Sequence, residues 1–317
     1  MKTLFKQKRS TSNLLPYQEQ TLHSLANNTT LLFPNYDKGL GPCAVTYDQY
    51  VHDSLTHLRD PTTYLQLSKE EALQRTSQVY STISIWLKTH RQHLDKMDIK
   101  YIQHHMTNNR HNPFGQFYLT YKIHKGMKNN RWPTRPVCSD VSSLPHGLGK
   151  WVDKTLQPIA TTQLSYLKDS FALKDILTTI HLPSNALLFT CDAVSMYTNI
   201  QTKPALTLIS AYLRTNEGTP FHHYHSDTII EALEIVFQNN FLQFGDTYWQ
   251  QISSTGMGIS PAPPWATIFY ALHEQQFLPE WTEHVILYKH FIDDVIGIWR
   301  PHPCPEQNEI LWHKFQQ

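Results

Sequence analysis

The sequence predicts an α+β fold, and three features carry that prediction. Asn240 to Phe244 and Thr247 to Gln250 are rich in strand-forming residues and flank Gly245-Asp246, a two-residue hairpin signal. A second apolar pair runs from Tyr288 to Trp299 with Asp293-Asp294 between its halves. The remaining long segments carry apolar residues at helical spacing, so helices alternate with hairpins.

Composition limits the class of protein. A chain of 317 residues can bury one large domain or two intimate ones. With 40% apolar and 12% aromatic residues it is not a disordered polymer. The net charge of +1 hides a basic region, since Lys100 to Lys154 holds nine Lys/Arg against Asp140 and Asp153 alone. Four scattered cysteines form neither a zinc pattern nor a disulfide framework, and no run of eighteen apolar residues or signal peptide is present. The expected setting is therefore intracellular, nuclear or cytoplasmic, and not secreted. The basic opening Met1 to Ser10 fits a targeting segment, a nuclear signal or a solvated tail.

Taken in order, Thr30 to Phe33 and Cys43 to Tyr47 are expected to pair as a hairpin across a turn-rich linker. Ser68-Lys-Glu-Glu71 is a capping box. It precedes Ala72, Leu73, Val79, Tyr80, Ile83, Trp86 and Leu87 on one helical face, with the helix expected to reach about Leu94. Phe117 to Lys125 alternates as a strand, and Thr134 to Ser139 is its return, so Lys122 and Arg135 lie on a basic hairpin suited to phosphates. Taken alone, this hairpin reads better as a solvated basic hairpin. Leu148 to Ile159 is an amphipathic helix, and helices follow from about Pro204 and from Ser226, a candidate N-cap. His222, His223 and His225 have no cysteine nearby, and no zinc site is expected there.

Ala186 to Cys191 is a continuous apolar run, expected to be a strand buried on both faces, with Asp192 at its end. Ser253 to Pro261 is a loop containing Gly256 and Gly258, leading into a helix from Trp265. Glycines there would admit a flat ligand close to the backbone, and an ordinary strand-to-helix turn reads equally well. Asp293 and Asp294 are adjacent carboxylates between apolar strands, which repel each other and lose solvation unless a cation binds. An ordinary Asp-rich turn is the alternative.

The order of these pieces resembles the fingers and palm of reverse transcriptases, most closely the Penelope-like retroelement branch, itself similar to telomerase reverse transcriptase. The residues that carry the resemblance are Phe117 to Lys125 and Arg135 to Ser139 for the fingers. Asp192-Ala-Val-Ser-Met-Tyr-Thr-Asn-Ile200, Gly256 to Pro263 and Phe291-Ile-Asp-Asp294 carry it for the palm. Ile259, Ser260 and Thr267 depart from the family pattern. The resemblance implies a right-hand polymerase palm, an antiparallel sheet backed by helices, with a fingers subdomain ahead of it. It implies an N-terminal extension over 1–105 and a reverse transcriptase domain over 106–317, with fingers at about 106–180 and palm at about 181–317, stopping short of a thumb.

The implied activity is RNA-directed DNA synthesis with two magnesium ions, a nucleotidyl transfer from a dNTP to a primer 3′-hydroxyl on an RNA template. Asp192, Asp293 and Asp294 are the implied catalytic and metal-binding residues, Asp192 and Asp293 as direct ligands with Asp294 completing the set. Lys122 and Arg135 would hold the triphosphate, Tyr197 would gate the sugar, and Gly256 and Gly258 would lie against the nucleotide. The implied partners are an RNA template, a DNA primer and dNTPs, with no membrane. A truncated, inactive retroelement remnant that at most binds nucleic acid is the alternative.

Overall fold

The computed structural model describes residues 13–39 and 41–316. The basic opening stretch lies outside the described residues. Two compact units are formed, one from the chain up to His57 together with Leu119–Arg135, the other from Leu58–Tyr118 and Pro136–Gln317.

In chain order the elements begin with α1 (Pro16–Ala26), β1 (Leu31–Leu32), β2 (Val45–Thr46) and α2 (Tyr47–Leu58). β3 (Tyr64–Leu67), α3 (Lys69–Thr89), α4 (Lys96–Asn108), β4 (Gly115–Tyr121) and β5 (Thr134–Ser139) follow. Next come α5 (His146–Thr161), α6 (Ser170–Thr179), β6 (Leu187–Asp192), α7 (Met196–Asn199), α8 (Thr202–Thr215) and α9 (Ser226–Gln238). The chain continues with β7 (Asn240–Phe244), β8 (Thr247–Gln251), α10 (Ala262–Phe277), β9 (Val285–Phe291), β10 (Asp294–Trp299) and α11 (Pro305–Phe315).

In the first unit β1 and β2 pair antiparallel as expected, Leu31 opposite Thr46. Tyr121 is buried there, and its hydroxyl donates to Asp53 Oδ2 at 3.0 Å. The strand reading of Phe117 to Lys125 holds only as far as Tyr121, because Ile123–Lys125 turns into a 3₁₀ helix with Lys122 just before it.

In the second unit α3 starts at the predicted capping box. The Glu71 N–H donates to Ser68 Oγ at 3.2 Å, and the Ser68 N–H donates to Glu71 Oε2 at 2.9 Å. Ala72, Val79, Ile83, Trp86 and Leu87 are buried on the face that spacing predicts, while Leu73 is exposed. The helix ends at Thr89, not near Leu94. Helices α3, α5, α8, α9 and α10 share one large core around Trp151, Ile209, Leu233 and Trp265. Ser226 is the first helical residue of α9, not its N-cap: its Oγ donates to Leu213 O at 3.0 Å and its N–H to Glu217 Oε2 at 3.1 Å.

Two sheets frame this core. One has the order β3-β8-β7-β4-β5, with β7 and β8 joined at Gly245, whose φ of 56° suits the tight turn. The other is antiparallel, in the order β6-β10-β9. One of its faces packs on an aromatic cluster of Phe189, Trp281, Trp299 and Phe315, with Trp312 of α11 against it. The fold is thus the expected α+β, an antiparallel palm sheet backed by helices.

β6 is not buried on both faces as its composition suggested. Only Phe189 is buried, whereas Leu187 and Leu188 are 54% and 65% exposed. The reason is topological: β6 is an edge strand, the aromatic cluster covers the sheet face that carries Phe189, and the opposite face at Thr190 and Asp192 lines an open groove.

Gly297 sits directly opposite Phe189, and a Cβ there would overlap the Phe189 ring and lie 2.8 Å from the Leu287 carbonyl oxygen. Gly297→Ala is therefore expected to lower folding stability by roughly 1–3 kcal/mol, the usual cost of overpacking. Urea denaturation should read this as a lower midpoint, partly restored by Phe189→Leu in the same chain.

Candidate functional site

The site is built on the register of β6 against β10. Asp192 is the cross-strand partner of Asp294. The Ala193 N–H donates to the Asp293 carbonyl at 2.9 Å, one residue beyond the pair on each strand. That spacing makes Asp192 and Asp294 a non-hydrogen-bonded pair, the type in which the Cα atoms approach to about 4.5 Å and the side chains lie side by side. Both residues are exposed.

Asp293 occupies a different place. Phe291 pairs with Asp294, so Ile292 and Asp293 form a two-residue turn. Ile292 has φ 56°, a conformation costing a β-branched residue on the order of 1–3 kcal/mol. The register thus brings Asp294 beside Asp192 and leaves Asp293 at the hairpin tip. The sequence points to Asp192 and Asp293 as the direct pair, whereas the backbone register sets Asp294 opposite Asp192.

The carboxylate face of the sheet is open. A groove of about 820 Å³ runs along it, lined by Thr190, Asp192, Phe291, Asp294 and Ile296, with Leu173 of α6 across from them. Like charges directly opposite on neighbouring strands are destabilising, and two oxygen donors side by side suit a hard cation such as magnesium. That ion takes one or two protein carboxylates along with substrate phosphates. Among the described residues no three His, Cys, Asp or Glu side chains form a ready metal group, the histidines at 222, 223 and 225 included.

Tyr197 stands on α7, directly after Ser195, which has φ 52°. This short turn is stitched to the glycine loop and to α10. The Thr255 N–H donates to Tyr197 O at 3.0 Å, Ser254 Oγ to Thr198 O at 2.9 Å and Tyr270 Oη to Met196 O at 3.1 Å. The Tyr197 ring is half-buried against the main core.

Gly256 is buried, and the space a Cβ would need is filled by Gln251 Oε1 and Ile259 Cδ1 at 2.6 and 2.7 Å. Gly258 has φ 100°, with Val137 and the Cys138 carbonyl 3.1 Å from a Cβ position. The close approach that glycine permits here is that of the chain's own strand β5, to which the loop also bonds through Cys138 N–H to Met257 O at 2.6 Å.

Asp140 was missed by sequence reasoning. It is buried and accepts from the Ser260 N–H at 2.9 Å, from Ser260 Oγ at 3.2 Å and from His146 Nδ1 at 3.1 Å. It ties the glycine loop to the start of α5. Its only sequence signal was that it is one of two acids in a basic region. Ser260, a departure from the resembled pattern, has its hydroxyl engaged by this carboxylate.

In the first unit Arg135 Nη1 lies 3.1 Å from Asp37 Oδ1, with Asp37 buried. Burial, and after it the positive charge of Arg135, holds the Lys122 ammonium below the ordinary lysine range, opposed in part by Asp37. The two cations of the basic hairpin are therefore close enough to repel, an arrangement that an anion relieves.

No protein-family model matches the chain, and no curated protein matches it. Among solved structures, telomerase from Candida albicans in complex with a fragment of telomeric RNA superposes with a TM-score of 0.56 and 10% identity, over 94% of this chain and 49% of that one. Apo telomerase from Candida tropicalis gives 0.52 and 11% identity, over 91% of this chain and 48% of that one. A C-terminally truncated form of it gives the same score and identity, over 90% and 55%. The likeness is one of fold. The chain shares the fold of these telomerase structures and spans about half their length. No helix among the described residues is long and apolar enough to cross a membrane.

The paired carboxylates make a prediction of their own. Without divalent metal, Asp294→Asn should raise stability by a few tenths of a kcal/mol, as expected for removal of an opposed like charge. Magnesium should then raise the melting temperature of the unaltered protein and leave that of the variant unmoved. Differential scanning fluorimetry with and without the ion checks both outcomes.

Proposed function

We propose that this chain is the fingers and palm of an RNA-directed DNA polymerase, in which a primer 3′-oxygen attacks the α-phosphate of a dNTP on an RNA template and pyrophosphate leaves. The observation that carries the reading is the Asp192–Asp294 cross-strand pair at the open end of a three-stranded sheet, next to the strained Ile292 turn. Polymer synthesis of this kind needs positioning and charge neutralisation more than covalent help.

In this reading Asp192 and Asp294 hold magnesium and Asp293 completes the set. Bound there, two magnesium ions supply Lewis-acid stabilisation of the attacking and leaving oxygens. The chain's own residues do the rest. Lys122 and Arg135 bind the triphosphate, Arg with a planar fork that grips two oxygens. Tyr197, on a short turn bonded to the glycine loop through Thr255 and to α10 through Met196, presents a ring against the sugar and excludes a 2′-hydroxyl. Asp140, through Ser260, positions the glycine loop on which that ring depends. The retroelement setting, of Penelope-like type, belongs to the same proposal and rests on the motif resemblance.

Primer extension on an RNA template with dNTPs and magnesium tests the reading. Asp192→Asn or Asp294→Asn should lower the rate by on the order of 10³-fold, the scale of several kcal/mol of charge stabilisation. Tyr197→Ala should raise ribonucleotide incorporation relative to deoxynucleotide. Undiminished extension by either Asn variant overturns the catalytic assignment, and unchanged sugar selectivity removes the gate. Retained RNA binding without any extension by the unaltered chain would favour a binding-only remnant.

A further inference from the structure

A second polar groove lies on α3 and α4. A cavity of about 410 Å³ opens between them, and a second of about 240 Å³ lies on the other side of Tyr80, which lines both. Lys88 and Arg91 line the first. Arg110 lines the second, its guanidinium carbon 5.2 Å from the centre of the Tyr80 ring. No acidic residue occurs from Ala72 to Leu94, nor from Ile99 to Ser139. The surface is thus an aromatic flanked by cations, the combination that serves single-stranded nucleic acid, with phosphates on Lys/Arg and bases stacked on rings.

The hydroxyls of the groove carry further information. Ser84 Oγ donates to Tyr80 O at 2.8 Å, Ser81 Oγ to Ser77 O at 3.2 Å and Thr107 Oγ1 to Gln103 O at 2.9 Å. With each hydroxyl donating within its own helix, the oxygen keeps a lone pair to accept from an incoming donor. DNA offers no donor from its sugar. A ribose 2′-hydroxyl offers the donor these oxygens lack.

We propose that this groove binds single-stranded RNA, with phosphates against Lys88, Arg91 and Arg110, a base on Tyr80, and 2′-hydroxyls donating to Ser81, Ser84 and Thr107. The site lies apart from the carboxylate groove in its lining residues and does not rest on the polymerase reading.

The test uses the full chain and a fluorescein-labelled single-stranded RNA of about 16 nucleotides, a length within known single-strand site sizes. Binding is followed by anisotropy over a salt series. At a slope of about −0.7 per phosphate contact, Lys88→Gln, Arg91→Gln and Arg110→Gln together should reduce the salt slope by about 2 and weaken binding on the order of 50-fold near 0.15 M salt. Ser81→Ala, Ser84→Ala and Thr107→Val together should narrow the preference for RNA over DNA of the same sequence. With 4-thiouridine RNA, crosslinks should fall on peptides of α3 and α4.

An unchanged slope, crosslinks confined to β6, β9 and β10, or displacement by poly-glutamate as effective as by RNA would overturn the proposal. Equal affinity for DNA, insensitive to hydroxyl removal, would overturn the assignment to RNA. Primer extension on a short preformed primer-template should proceed at the unaltered rate in the triple Gln variant. Failure of the unaltered chain to extend at all would count against the polymerase reading alone.

Discussion

The register of β6 on β10 is the constraint from which the candidate site follows. A slip of one residue would remove Asp192 from Asp294 and turn every side chain of β6 to the other face. What prevents the slip is the Phe189 ring, which crosses β10 at Gly297 and enters the cluster of Trp281, Trp299 and Phe315. Buried aromatic side chains remove roughly 150–250 Å² each from water, worth several kcal/mol apiece at about 25 cal/mol per Å². The opposed carboxylates cost about 1 kcal/mol or less, and the Ile292 turn about 1–3. Packing three residues away from Asp192 therefore outweighs the repulsion and strain at the tip and holds the charge pair in place.

Much of the fold was legible because local signals and tertiary demands agreed. The Ser68–Glu71 box, the α3 face from Ala72 to Leu87 and the Gly245-Asp246 hairpin each depend on neighbours a few residues away, which sequence displays directly. β6 was misread because composition reports how apolar a strand is, not whether its sheet has a layer on both sides. The approach of Asp192 to the Asp293-Asp294 hairpin was suggested by motif resemblance, whereas the choice of Asp294 as its neighbour required the register. Asp140 was illegible because, of its two partners, His146 is an ordinary neighbour six positions on and Ser260 lies 120 positions away.

The glycine loop shows how positions resembling ligand contacts can also be demanded by packing. Gly256 has Gln251 against it, and Gln251 is itself fixed by the Asn240 amide at 2.7 Å. Gly258 adopts a conformation open to glycine and lies against β5. With Asp140 holding Ser260, the loop is anchored at both ends and in the middle. A side chain at either glycine would first disturb this anchoring, and through Thr255 and Ser254 the seat of Tyr197. Substitution at those glycines therefore cannot separate a nucleotide contact from a structural role.

The two faces of the β6-β10-β9 sheet divide the work between them. One is closed by aromatic packing and supplies rigidity. The other, carrying Asp192 and Asp294, is left open along Thr190 and Ile296 with Leu188 exposed beyond them. An open apolar lane ending in paired carboxylates is poorly suited to a protein that only needs to fold, since exposed leucine and opposed charge both work against stability. Under the proposed function both costs are met together: a divalent cation held by the two acids would neutralise them, and a nucleic-acid strand end with its phosphate on that cation would cover the lane.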